Sequence, residues 1–123
     1  MGLINLNELP ALEIAPGIVG RIVTADTFTV AHVSIKKGSL LPEHAHYHEQ
    51  VVNVIDGELE LTVEGTPHIL KAGKVMVLPP NMPHSGRALT DVKVVDVFHP
   101  VREDFRGASF GGYDKHQDRR RER

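Results

Sequence analysis

The stretch that decides the fold is His44-Ala45-His46-Tyr47-His48-Glu49-Gln50, which is followed further along by Pro79-Pro80-Asn81-Met82-Pro83-His84. In an extended strand alternate side chains share one face, so His44, His46, His48 and Gln50 would project together. Imidazole is the commonest protein ligand of divalent metals, and an oxygen donor can complete such a set. The pattern predicts a metal site, and the alternative is a solvated, histidine-rich loop.

The residues around this stretch favour the metal site. Gly38 precedes it, Gly57 follows it, and Gly73 opens an apolar run that ends before His84. The order and spacing resemble the two cupin motifs, in which His-x-His and an oxygen ligand lie between glycines and a later histidine follows a proline. Gln50 stands where cupins usually have glutamate. Asn81 replaces a glycine, which is tolerable because Asn enters the left-handed backbone region more readily than most residues.

The rest of the chain has a β pattern. Ile18–Thr24 and Thr27–Ile35 are rich in β-branched residues, and Gln50–Ile55 and Glu58–Val63 flank Asp56-Gly57, a pair typical of two-residue hairpins. Further strands are predicted over His68–Lys71, Lys74–Leu78 and Val92–Phe98. Many short strands indicate a sandwich or a barrel, and the cupin resemblance implies an all-β jelly-roll barrel, the double-stranded β-helix of that family.

The chain is predicted to be one cupin domain over residues 1–113, with its core at about 36–105 and N-terminal strands within 11–35. A length of 123 residues suits a single core. Residues 114–123 carry four arginines, three acids and no apolar side chain, and are predicted to be a charged, solvated, disordered tail without a function.

The composition of the chain argues against several kinds of binding partner and site. A net charge of −2 gives no broad positive field for nucleic acid. The absence of cysteine excludes thiolate ligands and disulfides and fits a reducing compartment. Neither a signal peptide nor a membrane span is predicted, so we expect a cytoplasmic protein. Cupins often pair their sheets or exchange N-terminal strands, so we expect a homodimer, for which Met1–Pro16 offers apolar side chains.

Asp96 is the candidate functional residue outside the two motifs. Lys93 must face water, and strand alternation then turns Val94, Asp96 and Phe98 toward the barrel interior. A carboxylate that faces a small apolar interior is costly unless a metal, a cation or a ligand compensates it. The alternative is an aspartate that faces an edge or bonds to the backbone.

Arg102 is the second candidate. Pro100 is predicted to begin a tight turn or a short helical turn at the end of the last strand, which would return Arg102 to the barrel mouth. The alternative is a surface arginine that pairs with Glu103 or Asp104.

The segment Asp96-Val97-Phe98-His99-Pro100-Val101-Arg102-Glu103-Asp104-Phe105, together with the His-x-His-x-x-x-Gln motif, is similar to the KdgF-type cupins. These act in pectin and alginate breakdown and convert 4,5-unsaturated monouronates into linear 5-keto-4-deoxyuronates. The resemblance implies Asp96 as the catalytic acid/base, with Arg102 also in the catalytic set, and substrate contacts from Phe98, Arg102 and Gln50. It implies a metal-ligand set of His44, His46, Gln50 and His84, with His48 outside that set.

The cofactor implied is one divalent ion per chain, either Zn, Ni, Mn, Fe or Co. The neutral Gln50 leaves such an ion its full charge, which suits a small anionic, sugar-derived substrate. Three other functions stay open. They are a cupin dioxygenase, a non-catalytic cupin that binds a sugar or metabolite, and a structural metal site in which Asp96 and Arg102 bond to each other.

Overall fold

The structure is a computed structural model that describes residues 2–106, so the predicted tail lies outside the described residues. In that range, no helix is long and apolar enough to cross a membrane. Two 3-10 helices cover Leu6–Glu8 and Glu103–Phe105. The strands are β1 Leu12–Ala15, β2 Ile18–Thr24, β3 Thr29–Ile35, β4 Leu40–His44, β5 Glu49–Asp56, β6 Glu58–Val63, β7 Thr66–Lys71, β8 Val75–Leu78, β9 His84–Ala88 and β10 Val92–His99.

The strands form two antiparallel sheets. The six-stranded sheet has the order β1-β2-β3-β10-β5-β8, and the four-stranded sheet has the order β4-β9-β6-β7. The first strand pairs with β2 of its own chain. This is the predicted jelly roll, and the prediction of an all-β fold is confirmed.

The core lies between the inner faces of the two sheets. The alternation predicted for β6 is present, because Leu59 and Leu61 are buried while Glu58, Glu60 and Thr62 are only partly covered. The same alternation in β10 buries Val94 and Phe98. The core is built mainly from branched aliphatic side chains, among them Ile14, Val33, Val52, Leu61, Leu78 and Val94.

The predicted hairpin at Asp56-Gly57 is wrong. The strand before it, β5, pairs with β8 and β10, whereas the strand after it, β6, pairs with β7 and β9. The two residues therefore form a corner at which the chain passes from one sheet to the other. Gly57 has a φ of 87°, and the next peptide N–H, of Glu58, donates to Thr90 Oγ1 at 2.9 Å.

The turn at Asn81 agrees with the prediction made for that position. Asn81 has a φ of 66°, in the left-handed region that glycine would otherwise supply. Its peptide N–H donates to the carbonyl oxygen of His46 at 2.7 Å. This hydrogen bond joins the turn of the second motif directly to the histidines of the first.

Substitution of Gly57 should test the corner. A Cβ atom at Gly57 would overlap the carbonyl oxygen of Asp91, whereas a Cβ at Gly38, with a similar φ of 86°, would meet nothing within 4 Å. Gly38→Ala should therefore cost only the backbone penalty, about 1–2 kcal/mol of unfolding free energy. Gly57→Ala should cost a further ~1–3 kcal/mol for the overlap, as measured by urea unfolding. Equal losses in the two variants would contradict the close approach at this corner.

Candidate metal centre

The first motif spans the gap between the two sheets. His44 is the last residue of β4 in the four-stranded sheet, and Glu49 is the first residue of β5 in the six-stranded sheet. The prediction that His44 to Gln50 lie along one strand is therefore wrong. The chain instead crosses between sheets at this stretch, and the crossing still turns His44, His46 and Gln50 into the interior.

Three imidazoles meet at this crossing. The nearest ligand-capable nitrogens of His44, His46 and His84 all lie within 4.8 Å of one another. The ring centroids of His44 and His84 are 4.2 Å apart, and those of His46 and His84 are 5.1 Å apart. His44 and His84 are brought together because β4 pairs with β9 at these two residues. Such a group of three histidines could hold a metal ion.

Backbone carbonyls orient all three rings. Nδ1 of His44 lies 2.8 Å from the carbonyl oxygen of Pro42, and Nδ1 of His84 lies 2.8 Å from that of Met82. Nδ1 of His46 lies 3.1 Å from the carbonyl oxygen of His48. A carbonyl oxygen can only accept, so each Nδ1 must carry the proton and donate it. In a neutral ring this leaves the Nε2 lone pair available to a metal.

The surroundings keep these rings neutral. Burial, and then the adjacent His84 ring, lowers the pKa of His44 to about 3. Burial, and then the positive charge of Arg102, lowers the pKa of His46 to about 2. Burial also lowers the pKa of His84. All three imidazoles are therefore in the form that binds metals, without a proton to displace from Nε2.

The side chains of His46 and Gln50 are arranged as two ligands of one cation would be. Nε2 of His46 lies 3.1 Å from Oε1 of Gln50, although the only proton of a neutral His46 is already directed at the His48 carbonyl. Two lone pairs therefore face each other. The Gln50 side chain also bonds to the Asp96 carboxyl, which directs its amide N–H there and its oxygen toward His46. Two acceptor atoms this close to each other are compatible with two ligands that would hold the same cation.

Asp96 faces the same interior as the metal-capable residues, as strand alternation predicts. Asp96, Gln50 and His84 line one cavity of about 40 Å³, whose other walls are mostly aliphatic. Among residues 2–106, Oδ1 of Asp96 is buried without a hydrogen-bond partner. Burial raises the pKa of Asp96 to about 7, an effect that the Gln50 hydrogen bond and the Arg102 charge only partly offset. The hydrogen bond to Asp96 therefore comes from Gln50, and Arg102 acts on it through charge.

Arg102 is fully buried, so the alternative of a surface arginine is wrong. The predicted pairing with Asp104 is nevertheless present. Nε and Nη2 of Arg102 donate to the two carboxylate oxygens of Asp104 at 3.0 and 2.6 Å. The guanidinium carbon lies 4.7 Å from the ring centre of Phe98 and 4.0 Å from that of Phe105. The predicted short helical turn after Pro100 is the 3-10 helix at Glu103–Phe105.

Several residues that position this site gave no usable signal in the sequence. Thr29 is buried on β3, and its hydroxyl accepts the Arg102 peptide N–H at 2.9 Å. His48 lies outside the group of three histidines, as expected. Its Nε2 lies 3.2 Å from the Val101 carbonyl oxygen, which ties the start of β5 to the segment that carries Arg102. From the sequence, Asp104 is predicted only as a surface partner of Arg102, and Phe105 has no predicted role of its own.

Removal of the Asp104 carboxylate should destabilise the fold strongly. Asp104→Ala leaves a buried guanidinium without its carboxylate, which typically costs about 3–5 kcal/mol of unfolding free energy. The matched control is Glu103→Ala, because Glu103 pairs with Arg106 at 2.8 Å on the exposed surface. That pair should be worth less than about 1 kcal/mol. Guanidinium chloride unfolding of both variants measures the difference, and a similar small loss in each would show that the Arg102–Asp104 pair does not hold this segment.

Comparison with known proteins agrees with the architecture. The family model described as the cupin domain matches residues 31–98. The pectin degradation protein KdgF of Dickeya dadantii (strain 3937) is 33% identical over 102 residues, which cover 80% of this chain and 93% of that protein. The structure of KdgF from Halomonas sp. superposes with a TM-score of 0.79 at 28% identity, covering 85% of this chain and 97% of that one.

A more local similarity reaches a second kind of protein. Quercetin 2,3-dioxygenase of Bacillus subtilis (strain 168) is 39% identical over 66 residues, which cover 52% of this chain and 19% of the dioxygenase. The family match spans more than half of this chain, and the similarity to KdgF of Dickeya dadantii spans 80% of it. The chain belongs to the cupin family and is similar to its KdgF members.

Proposed function

We propose that this cupin is a metal-dependent isomerase that opens the ring of 4,5-unsaturated monouronates and releases linear 5-keto-4-deoxyuronates, in the cytoplasm. The similarity to two KdgF proteins supports the substrate class. The observation that carries the proposal is the placement of Asp96. Its carboxyl oxygen Oδ1 has no hydrogen-bond partner among the described residues and faces the cavity that Gln50 and His84 also line.

Asp96 would move both protons of the reaction. Its carboxylate takes the proton of the anomeric hydroxyl, the C1–O5 bond breaks, and the C1 aldehyde forms. The ring oxygen keeps the electron pair, which makes C4, C5 and O5 an enolate. The protonated Asp96 then returns its proton to C4, and the C5 ketone forms. Substrate and product are isomers, so no oxidant, reductant or water is consumed.

His44, His46, Gln50 and His84 would hold the divalent ion. The ion, when bound, supplies Lewis acidity and positive charge for the uronate carboxylate and the developing enolate oxygen. Because Gln50 is neutral, the protein does not offset that charge through its own ligands. The cavity beside Asp96 has a volume of about 40 Å³, so only the carboxylate edge of the substrate would enter it, while the rest of the ring would stay outside.

Arg102 and Phe98 do not line that cavity and would contact the substrate from the side of His46. Nε and Nη2 of Arg102 donate to the Asp104 carboxylate, and the positive charge of the guanidinium would attract a substrate carboxylate. Asp104 and the two phenylalanine rings fix the guanidinium in one orientation before substrate arrives, which reduces the entropy lost on binding. Phe98 is buried beside His46, with ring centroids 5.8 Å apart, and would exclude water from the reacting atoms.

The proposed role of Asp96 predicts a loss of activity without a loss of metal. Metal-loaded wild-type protein should speed the loss of the conjugated enol-ether absorbance of a 4,5-unsaturated monouronate. Asp96→Asn keeps the shape of the side chain but cannot carry the proton, so its rate should fall by about 10²–10⁴-fold. Elemental analysis should find wild-type amounts of metal in this variant. A fully active Asp96→Asn protein would refute the assigned role.

Two control variants distinguish the loss of proton transfer from the loss of metal binding. Asp56→Asn removes an exposed acid from the neighbouring β5 and should leave the rate unchanged. His84→Ala should lose both metal and activity, whereas His68→Ala, at an exposed position on β7, should keep both.

A dioxygenase is the second candidate, and the local identity to quercetin 2,3-dioxygenase favours it. The absence of a carboxylate from the proposed ligand set counts against it, because iron sites that activate oxygen usually include one. Oxygen consumption by the iron-loaded protein with a phenolic substrate, and no effect on unsaturated uronates with any of the five metals, would favour the dioxygenase. Inactivity in both assays, together with tight uronate binding, would favour a sugar-binding cupin.

A further inference from the structure

Gly86 occupies an interior position in the middle of a strand. It is the central residue of β9, which pairs with β4 on one side and with β6 on the other. His84 and Ala88 lie two residues to either side of it and are buried, so strand alternation turns the Gly86 position inward with them. Gly86 lines the cavity that Asp96 and Gln50 also line. The wall of this cavity therefore lacks a side chain at one inward position of β9.

The backbone conformation at Gly86 does not require glycine. Gly86 lies inside a regular strand and lacks the positive φ that Gly57 has at the corner. Glycine weakens the interior of a strand, because it loses more conformational freedom on folding than other residues and has no side chain to pack. A glycine at such a position often marks a place where a ligand or another backbone comes close.

The packing of the protein does not require glycine at this position either. The three atoms nearest to a Cβ built at Gly86 are 3.7 to 3.8 Å away and belong to the four-stranded sheet, namely Leu59 Cδ1, the Glu60 carbonyl oxygen and Leu41 Cβ. These are ordinary van der Waals distances. Gly20 on β2 differs, because a Cβ there would lie 2.8 Å from Cδ1 of Ile14. A close contact therefore explains Gly20, whereas a methyl group at Gly86 would project into the cavity.

Gly86 and Asp96 lie on opposite walls of this cavity. Gly86 belongs to the four-stranded sheet and Asp96 to the six-stranded sheet, and the cavity lies between the inner faces of the two sheets. Oδ1 of Asp96 is buried without a hydrogen-bond partner among residues 2–106. A group that entered the cavity would therefore lie between an uncovered strand backbone and a carboxyl oxygen that can still bond.

We propose that Gly86 determines which substrates enter the site, because its missing side chain leaves the room in which the carboxylate edge of the substrate lies. The inference rests on the proposed function, since it takes that edge to enter the cavity beside Asp96. In a 4,5-unsaturated uronate the C4–C5 double bond is conjugated with the carboxylate, so this edge is flat. A flat edge against the Gly86 backbone would turn one face of C4 toward Asp96. The cavity has a volume of about 40 Å³, so a single added methyl group would remove much of this room.

Calorimetric titration of the zinc-loaded full chain with dihydropyran-6-carboxylate tests the proposal. This compound keeps the enol-ether double bond and the carboxylate beside the ring oxygen but lacks the anomeric hydroxyl, so binding is measured without turnover. The wild type should bind it, and Gly86→Ala should raise its dissociation constant about 10- to 100-fold, since the added methyl overpacks the occupied cavity. Gly86→Val should raise it further.

Stability and metal content distinguish this role from a structural one. Without ligand, Gly86→Ala should have an unchanged or higher melting temperature and wild-type zinc content, because its methyl meets no protein atom closer than 3.7 Å. The matched control is Ser85→Thr, which adds one methyl group to the outward face of the same strand, beside Thr62 on β6, and should leave binding unchanged.

Several results would overturn the proposal. They are a wild type that does not bind the compound, equal binding by the wild type and both Gly86 variants, and a lower melting temperature or zinc content in Gly86→Ala. Turnover of a 4,5-unsaturated monouronate by the same proteins tests the proposed function separately. Wild-type kinetics in Gly86→Ala would overturn the inference and leave the proposed function standing. Binding that depends on Gly86, in a protein that does not accelerate ring opening, would support the inference and contradict the proposed function.

Discussion

The site depends on the path of the backbone between the two sheets. The chain leaves the four-stranded sheet at His44 and enters the six-stranded sheet at Glu49. A chain that crosses between packed sheets has to satisfy its backbone groups without a strand partner. Here the carbonyl of His46 accepts from Asn81, and the carbonyl of His48 accepts from the His46 ring. These two hydrogen bonds therefore satisfy backbone carbonyls of the crossing segment. One of them also orients the His46 ring, and the other joins the first motif to the second.

The second constraint is the burial of charge beside this crossing. Arg102 has no exposed surface, and the structure compensates it with the Asp104 carboxylate and with two aromatic rings. Its positive charge in turn lowers the pKa of the nearby imidazoles and partly offsets the raised pKa of Asp96. The surroundings of the three histidines thus keep their rings neutral, in the form that binds metals. They also leave the Asp96 carboxyl group buried, with one oxygen that lacks a hydrogen-bond partner among the described residues. Such an arrangement costs stability, which is common where a protein binds or reacts.

Much of this could be predicted from the sequence because the deciding patterns are local. The short strands predicted a sandwich or a barrel, the resemblance of the histidine and glycine spacing to the cupin motifs implied the jelly-roll barrel, and strand alternation placed Asp96 inside. The corner at Gly57 could not be predicted, because an Asp-Gly pair suits a hairpin and a corner equally well. The deciding contact is with the Asp91 carbonyl, which is distant in sequence. The choice of Asp104 over Glu103 as the partner of Arg102 likewise follows from the packing of Phe98 and Phe105, which has no periodic signature.

The central claim is that one buried carboxyl group carries a proton from the sugar hydroxyl to C4. The most direct test is to run the reaction of the metal-loaded protein in D₂O and to analyse the product by NMR. A carboxyl group fixed on one side of the substrate would deliver deuterium to a single face, so the account predicts one deuterium at C4 in one configuration. Equal labelling of both C4 positions, or a product whose formation the protein does not accelerate, would contradict it.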